Sequence, residues 1–148
     1  MVLTYRIADG VLTERRGDGD ARVVTSYPHS LASGTRTDAK SELAFAYAAD
    51  LSELNSIQSR GEITRAVTLE LDGAAVDKGE TRWRFIVAGS VEIGDCAYPV
   101  WRVRTRTELG AMDQYYSPDL CISPRAITRD EAGKPLRGVV FDRIERAP

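Results

Sequence analysis

The chain has 148 residues, a mass of 16.3 kDa, a formal net charge of −2 and a single histidine. This length suits one domain, residues 1–148, that buries about two-thirds of its unfolded surface. A composition of 43% hydrophobic and 28% charged residues is typical of a globular protein and excludes a disordered or fibrous one. One histidine and two cysteines exclude the common His-based and Cys-rich metal sites. No apolar run approaches the roughly 18 residues that a membrane-spanning helix needs.

The charge composition narrows the class of partner. Of the 20 basic residues three are lysine and 17 are arginine, an excess more typical of a GC-rich genome than of selection for phosphate binding. The isoelectric point near 5.5 argues against a general nucleic-acid-binding protein, because such binding depends on a net basic surface. The chain has no glycine-rich phosphate loop, dinucleotide-binding motif or zinc-protease motif, so we predict no cofactor.

The first half of the chain alternates polar and apolar residues with the period of a β-strand. The predicted strands are residues 2–7, 10–16, 21–27, 43–47 and the stretch from residue 62 onward. Residues 26–37 contain Pro28 and Gly34 without any periodicity, which predicts a loop.

A short helix is predicted between these strands. Asp50 and Glu53 have the spacing of a capping box, in which the first residue caps the helix and the second reaches back to it. Leu51, Leu54 and Ile57 then share one helical face. Gly61 can end the helix, so we place it near residues 51–59.

Residues 81–107 predict a hairpin that turns at Gly94-Asp95. The apolar residues of the return strand change from even to odd positions, which predicts a β-bulge near residues 99–101, where Pro99 is tolerated. This register places Trp83, Phe85, Trp101 and Val103 on one buried face. Five arginines share the opposite face, with Arg84 opposite Arg106; they are Arg82, Arg84, Arg102, Arg104 and Arg106.

The last part of the chain predicts two further strands, with a turn at 130–134 between them. The first runs from residues 114–117 through 120–128 past Pro118 and Pro124, and the second covers 138–144. Short strands, short turns and one helix are typical of an antiparallel meander. We therefore predict an all-β fold, a single curved antiparallel meander or barrel-like sheet of roughly eight to ten strands with one short helix near 51–59.

The five arginines have two interpretations. Like charges directly opposite each other on neighbouring strands are destabilising, so something must offset them. Acidic residues of the neighbouring strand, Glu62, Glu70 and Asp72, could neutralise a solvated face. Alternatively, the guanidinium groups form an anion site that holds a phosphate, a carboxylate or an acidic partner.

His29 lies in a serine-containing loop, which allows a small hydrolase with a histidine base and a serine nucleophile as an alternative function. The chain has no GxSxG elbow, and a loop side chain near a proline is the simpler interpretation.

Cys96 and Cys121 lack the CxxC spacing of a redox pair. They could form one disulfide, worth on the order of 3 kcal/mol in an oxidising compartment, or remain two small apolar side chains in a reducing one.

Residues 1–6 lack the features of a signal peptide, which leaves a cytoplasmic protein or a mature exported form.

Several landmarks occur together between about residues 43 and 144. A helix with Leu51 and Leu54 precedes Gly61 and a long amphipathic strand, and the hairpin at 91–95 is followed by Tyr-Tyr-Ser-Pro-Asp-Leu at 115–120. This order resembles an uncharacterised group of bacterial envelope proteins with a lipocalin-like β-meander fold. The resemblance implies an exported, non-enzymatic protein and carries over no catalytic residue. Where the group has glycine this chain has Cys121, a departure that favours a Cys96–Cys121 disulfide.

We therefore expect a non-enzymatic binding or scaffolding protein of the bacterial envelope, located in the periplasm or otherwise exported. Its expected partner is a small anionic or amphipathic ligand, or another protein. The alternatives are the small hydrolase and a cytosolic protein–protein adaptor, and the sequence leaves the oligomeric state open.

Overall fold

A computed structural model describes residues 2–145 of the protein. Within these residues, eleven strands form one antiparallel sheet in which each strand neighbours the strands that precede and follow it in the sequence. The predicted all-β class and antiparallel meander are therefore confirmed, with more strands than the eight to ten expected.

The elements follow one another through short turns. In chain order they are β1 (Leu3–Ala8), β2 (Val11–Arg16), β3 (Val23–Tyr27), β4 (Thr35–Thr37), β5 (Glu42–Tyr47), α1 (Ile57–Arg60), β6 (Glu62–Leu71), β7 (Ala74–Ile93), β8 (Cys96–Thr107), β9 (Gly110–Ser117), β10 (Ile122–Arg129) and β11 (Pro135–Val140). Two 3-10 turns cover Gly19–Ala21 and Ser52–Ser56. The structure adds β4 inside the predicted loop. The prediction of one strand running from 114 through 128 is wrong, because the chain turns after Ser117 and β9 pairs antiparallel with β10. Strand β9 also begins earlier than predicted, at Gly110.

The chain forms two compact units. The first contains the residues up to Leu54 together with Arg65–Glu80, and the second contains Asn55–Thr64 together with the chain from Thr81. The buried apolar residues of the first unit are Leu12, Leu31, Ala32, Leu51 and Leu54. Those of the second unit include Ile57, Ile63, Trp83, Val103 and Tyr116.

The predicted short helix is present as a 3-10 turn followed by one turn of α-helix, α1. The Asp50 carboxylate accepts hydrogen bonds from the Ser52 N–H at 3.1 Å and the Ser52 hydroxyl at 2.6 Å. Glu53, the residue predicted to complete the capping box, forms a salt bridge with Arg65 of β6. Gly61 ends the helix with a φ of 81°, as expected for a glycine C-cap.

The predicted position of the bulge is wrong. Strand β8 pairs regularly throughout, and the irregularity lies in β7, where Phe85 faces Val103 and Val87 already faces Arg102. Ile86 is therefore the inserted residue. As a consequence Arg84 lies opposite Arg104, not opposite Arg106.

The bulge is in β7 because both faces of this hairpin carry buried side chains. Trp83 is buried on one face, whereas Val91 and Ile93, beyond the bulge, are buried on the other. Val100 of β8 is buried on the same side as Val91. The change of parity within β8 thus reflects two apolar clusters on opposite faces, and no inserted residue is needed there.

The turn between β9 and β10 places Cys121 in a backbone conformation that favours glycine. Cys121 has a φ of 57°, and its N–H donates to the Ser117 carbonyl at 2.9 Å. The Ser117 hydroxyl accepts from the Leu120 N–H at 3.2 Å, which closes the turn. Glycine adopts this left-handed conformation without the steric cost that a Cβ incurs.

We predict that Cys121→Gly raises the free energy of unfolding by about 0.5–1 kcal/mol, because the steric cost removed exceeds the entropy cost of glycine. Urea denaturation under reducing conditions measures the change. The matched control is Cys96→Gly, in the exposed, extended part of β8, which should destabilise by about 0.5–1 kcal/mol. A stability loss in both variants would contradict the prediction.

Candidate anion-binding site

One face of strands β7–β10 carries most of the arginines of the second unit. We call it the arginine face, and its arginines are Arg82, Arg84, Arg102, Arg104, Arg106, Arg125 and Arg129. The register places all five predicted arginines on this face, as expected. Arg82 lies opposite Arg106 and Arg84 opposite Arg104, so like charges face each other twice across β7 and β8.

A buried carboxylate lies at the centre of this face. Asp113 of β9 is directly opposite Arg104, and its side chain is fully buried. Three guanidinium groups donate to it: Arg102 Nη2 at 2.7 Å, Arg104 Nε at 2.7 Å and Arg129 Nε at 2.9 Å. Arg102 and Arg104 each donate a second hydrogen bond to Asp113. Three positive charges thus surround one negative charge, a net charge of +2.

The surroundings of Asp113 hold it in the ionised form. Burial by itself raises the pKa of this carboxyl, but the hydrogen bonds from Arg104, Arg102 and Arg129 outweigh that effect and hold the pKa well below its ordinary value of 3.8. A buried carboxylate is tolerated only when it is paired and hydrogen-bonded, and the three arginines meet both conditions.

The remaining arginines of the face differ in their partners. Arg82 pairs with Glu62 at 3.5 Å, where both side chains are about half exposed. Arg84 and Arg106 are exposed and form no salt bridge within residues 2–145. Glu62 is therefore the one predicted compensator that pairs with an arginine of this face among the described residues.

The other two predicted compensators have different neighbours. Glu70 lies opposite Ala44 of β5, and Asp72 accepts a hydrogen bond from the Glu42 N–H at 2.8 Å. The prediction that they neutralise the arginines is wrong, because both residues lie beside β5.

An aromatic ring separates the charged part of the face from its apolar part. The Arg125 guanidinium carbon lies 4.7 Å from the centre of the Tyr115 ring, and the Arg102 guanidinium carbon lies 5.9 Å from it. These are cation–π distances, so Tyr115 helps to fix both guanidinium groups.

Asp113, Arg125 and Arg129 were not among the predicted site residues, although one signal could have found the carboxylate. Thr107 pairs with Gly110 across a two-residue turn at Glu108-Leu109. Counting back from that turn places Arg104 opposite Asp113. The turn lacks the usual Asn-Gly or Asp-Gly signature, so the sequence did not reveal it.

His29 does not have the arrangement of a catalytic base. Its Nδ1 accepts a hydrogen bond from the Leu31 N–H at 3.1 Å, so the proton of the neutral ring lies on Nε2. In a Ser-His-Asp triad the proton lies on Nδ1 and Nε2 is the base. Ser26, which the sequence placed in the same loop, lies at the end of β3, and its hydroxyl accepts a hydrogen bond from the Thr35 N–H at 3.1 Å.

The first unit contains a separate cavity of about 280 Å³, lined by Pro28, Phe45, Tyr47, Ala49, Asp50 and Leu51. Its one carboxylate, Asp50, is engaged by Ser52. The lining is otherwise mostly apolar and offers no cationic group to an anion.

Cys96 and Cys121 are both exposed and free, so the predicted disulfide is not formed in this structure.

Within the described residues there is no helix long and apolar enough to span a membrane. Those residues also contain no group of three or more His, Cys, Asp or Glu side chains placed to hold a metal ion.

Comparison of the chain with protein-family models, with curated proteins and with solved structures finds no match. The resemblance to envelope β-meander proteins stays a prediction, and the case for function depends on the arginine face itself.

We predict that Asp113→Asn lowers the free energy of unfolding by about 3–5 kcal/mol, because it leaves three guanidinium groups facing one another without their counter-charge. Glu62→Gln is the matched control: it removes one carboxylate from an exposed pair and should cost at most about 1 kcal/mol. Urea denaturation at neutral pH compares them, and equal losses would contradict the central role of Asp113.

The wild type and the Asp113→Asn variant also test the pH dependence of the free energy of unfolding. Because folding lowers the Asp113 pKa, the stability it contributes is fully present above the ordinary value of 3.8 and is lost as the pH falls further, towards the folded-state value. The stability difference between the wild type and Asp113→Asn should therefore be constant from pH 5 to 7 and shrink below about pH 4. A difference that stays constant down to pH 2 would contradict the assignment.

Proposed function

We propose that this protein is a binding protein whose arginine face holds a small anionic group such as a phosphate, sulfate or carboxylate. The observation that carries the proposal is the convergence of three arginines on one buried carboxylate. Arg84 and Arg106 lie next to them and form no salt bridge among the described residues. Guanidinium groups have a planar array of donors that matches such anions.

Asp113 orients the arginines without using all of their donors. Each guanidinium has five N–H donors, and Arg102 and Arg104 each give two hydrogen bonds to Asp113. The side chains of Arg102 and Arg104 are 28% and 35% exposed, so both are reachable from solvent. A carboxylate that holds donors in place before the ligand arrives reduces the entropy cost of binding.

Glu14 of the first unit is a second buried carboxylate among the described residues, and its partners differ from those of Asp113. Glu14 is buried on β2 and accepts hydrogen bonds from the Tyr5 hydroxyl at 2.8 Å, the Tyr27 hydroxyl at 3.3 Å and Arg16 at 3.2 Å. One arginine and two neutral donors suffice there. Burial of Asp113 therefore does not by itself explain three arginines, and the excess of positive charge supports a role in binding.

An anion would also relieve the repulsion within the sheet. Like charges directly opposite on adjacent strands are destabilising. Arg84 and Arg104 form such a pair, and of these two arginines Arg104 is the one that the Asp113 carboxylate contacts. An anion bound between them supplies the missing negative charge.

We predict that the double variant Arg84→Gln/Arg106→Gln weakens pyrophosphate binding about a hundredfold or more, because it removes two charge-assisted donors worth about 1.5–3 kcal/mol each. Both residues are exposed and lie outside the Asp113 network, so the variant should fold. Isothermal titration calorimetry at low salt measures the dissociation constant.

The matched control is Arg6→Gln/Arg15→Gln, which removes the same charge from two exposed arginines of the first unit. It should leave the pyrophosphate dissociation constant within about twofold of the wild type, because neither arginine belongs to the arginine face. Equal weakening in both double variants would overturn the proposal in favour of diffuse attraction.

The envelope location is a separate proposal that rests on the resemblance. The exposed free thiols of Cys96 and Cys121 give it a direct test, since thiols stay reduced in the cytosol and are oxidised in the periplasm. Fractionation of the native cells, with alkylation of free thiols before lysis, should recover the protein in the periplasmic fraction. Recovery of reduced protein in the cytosol would support the adaptor alternative.

A further inference from the structure

The arginine face continues into an apolar cluster on the same side of the sheet. Val91, Ile93 and Val100 form its buried centre, and Tyr98 and Tyr115 pack against them. Side chains two residues apart on a strand point to the same face, so Val100 shares its face with Arg102 and Arg104. The face is therefore cationic at one end of β8 and apolar at the other.

This apolar cluster is covered by a segment that has no regular secondary structure. Phe141 and Ile144 pack against it, and they belong to residues 141–145, which follow β11; we call these residues the covering segment. The Phe141 N–H donates to the Pro124 carbonyl at 2.9 Å at the start of the segment. The salt bridge of Arg143 with Glu145 lies within the segment and is exposed, so it does not tie the segment to the sheet.

The covering segment is attached to a weakly held part of the sheet. Every residue of β11 is exposed, and β11 is the last strand of the sheet, with β10 as its neighbour. An exposed edge strand and an irregular tail open at a lower free-energy cost than the core strands. Removal of Phe141 and Ile144 would expose the apolar cluster and leave the main core around Trp83 intact.

The two ends of the face lie within the length of one acyl chain. Arg104 and Val100 are four residues apart on β8, which at about 3.3 Å per residue is about 13 Å. A bilayer core about 30 Å thick holds two acyl chains end to end, so one chain spans about 15 Å. Tyr115 lies at the boundary, in contact with the arginines and with the apolar cluster, and an amphipathic ring suits such a position.

We propose that the ligand is a single-chain anionic amphiphile, with its headgroup on the arginine face and its chain on Val91, Ile93 and Val100 in place of Phe141 and Ile144. This inference rests on the proposed function and adds the class of ligand. A fatty acid, an alkyl phosphate and a lysophospholipid share the required chemistry. Positive charge and an apolar surface on one continuous face fit a molecule that has a negative group and a hydrocarbon chain.

Calorimetric titration of the full chain with laurate, below its micelle concentration, tests the proposal against acetate and neutral dodecanol. We expect laurate to bind at least tenfold more tightly than either, since it alone satisfies both ends of the face. In the nuclear magnetic resonance spectrum of the wild type, laurate should shift the backbone amide signals of residues 141–145, and acetate should not.

The double variant Phe141→Ala/Ile144→Ala tests the displacement itself. It should bind laurate about tenfold more tightly than the wild type, because less apolar contact competes with the chain, and its pyrophosphate affinity should be unchanged. The matched control is Leu136→Ala/Val139→Ala in the exposed strand β11, which should leave both affinities unchanged. If the variant fails to fold, the amide shifts of the wild type decide the question without a substitution.

The outcomes separate the two proposals. Pyrophosphate binding that requires Arg84 and Arg106, with laurate no tighter than acetate, would overturn the amphiphile and leave the anion site standing. Tight laurate binding without shifts in residues 141–145 would overturn the proposal by placing the chain elsewhere, such as the cavity of the first unit. Pyrophosphate and laurate binding that are both indifferent to Arg84 and Arg106 would overturn the anion site and the amphiphile together.

Discussion

The second unit depends on one buried carboxylate. Asp113 is fully enclosed, and its ionised form is stable there only because arginines from β8 and β10 donate to it from both sides of β9. These contacts connect three neighbouring strands through one side chain. They also fix guanidinium groups that would otherwise be mobile, and this order is what makes the face a candidate for anion recognition.

Both faces of the sheet in this unit carry buried apolar side chains. One face carries Trp83 and Val103, which are buried as a conventional core, and the other carries the arginines followed by the Val91 cluster. The bulge at Ile86 lets β7 contribute to both, because it shifts the alternation by one residue between Phe85 and Val87. A regular β7 would place Val91 and Ile93 on the Trp83 face and leave the arginine face without its apolar end.

Among the described residues two carboxylates are buried, Glu14 and Asp113, and they differ in the number of positively charged partners. Glu14 is satisfied by two tyrosine hydroxyls and one arginine, and little charge is left over. Asp113 is satisfied several times over, and Arg84 and Arg106 add charge without a partner in the described chain. This excess of positive charge on the arginine face destabilises the sheet. The anion that we propose as ligand would supply the opposite charge.

The sequence by itself determined the all-β class, the helix after Asp50, the turn at Gly94-Asp95 and the division of Trp83 from the five arginines, since these depend on local turn chemistry and on the period of a strand. The resemblance to the envelope group, and not the residues themselves, implied glycine at position 121, where Cys121 adopts a positive φ. Only the tertiary structure decided the position of the bulge, the partner of Arg104 and the cover provided by Phe141 and Ile144. These depend on which strands become neighbours, and alternation within one strand carries no information about what packs against it from elsewhere in the chain.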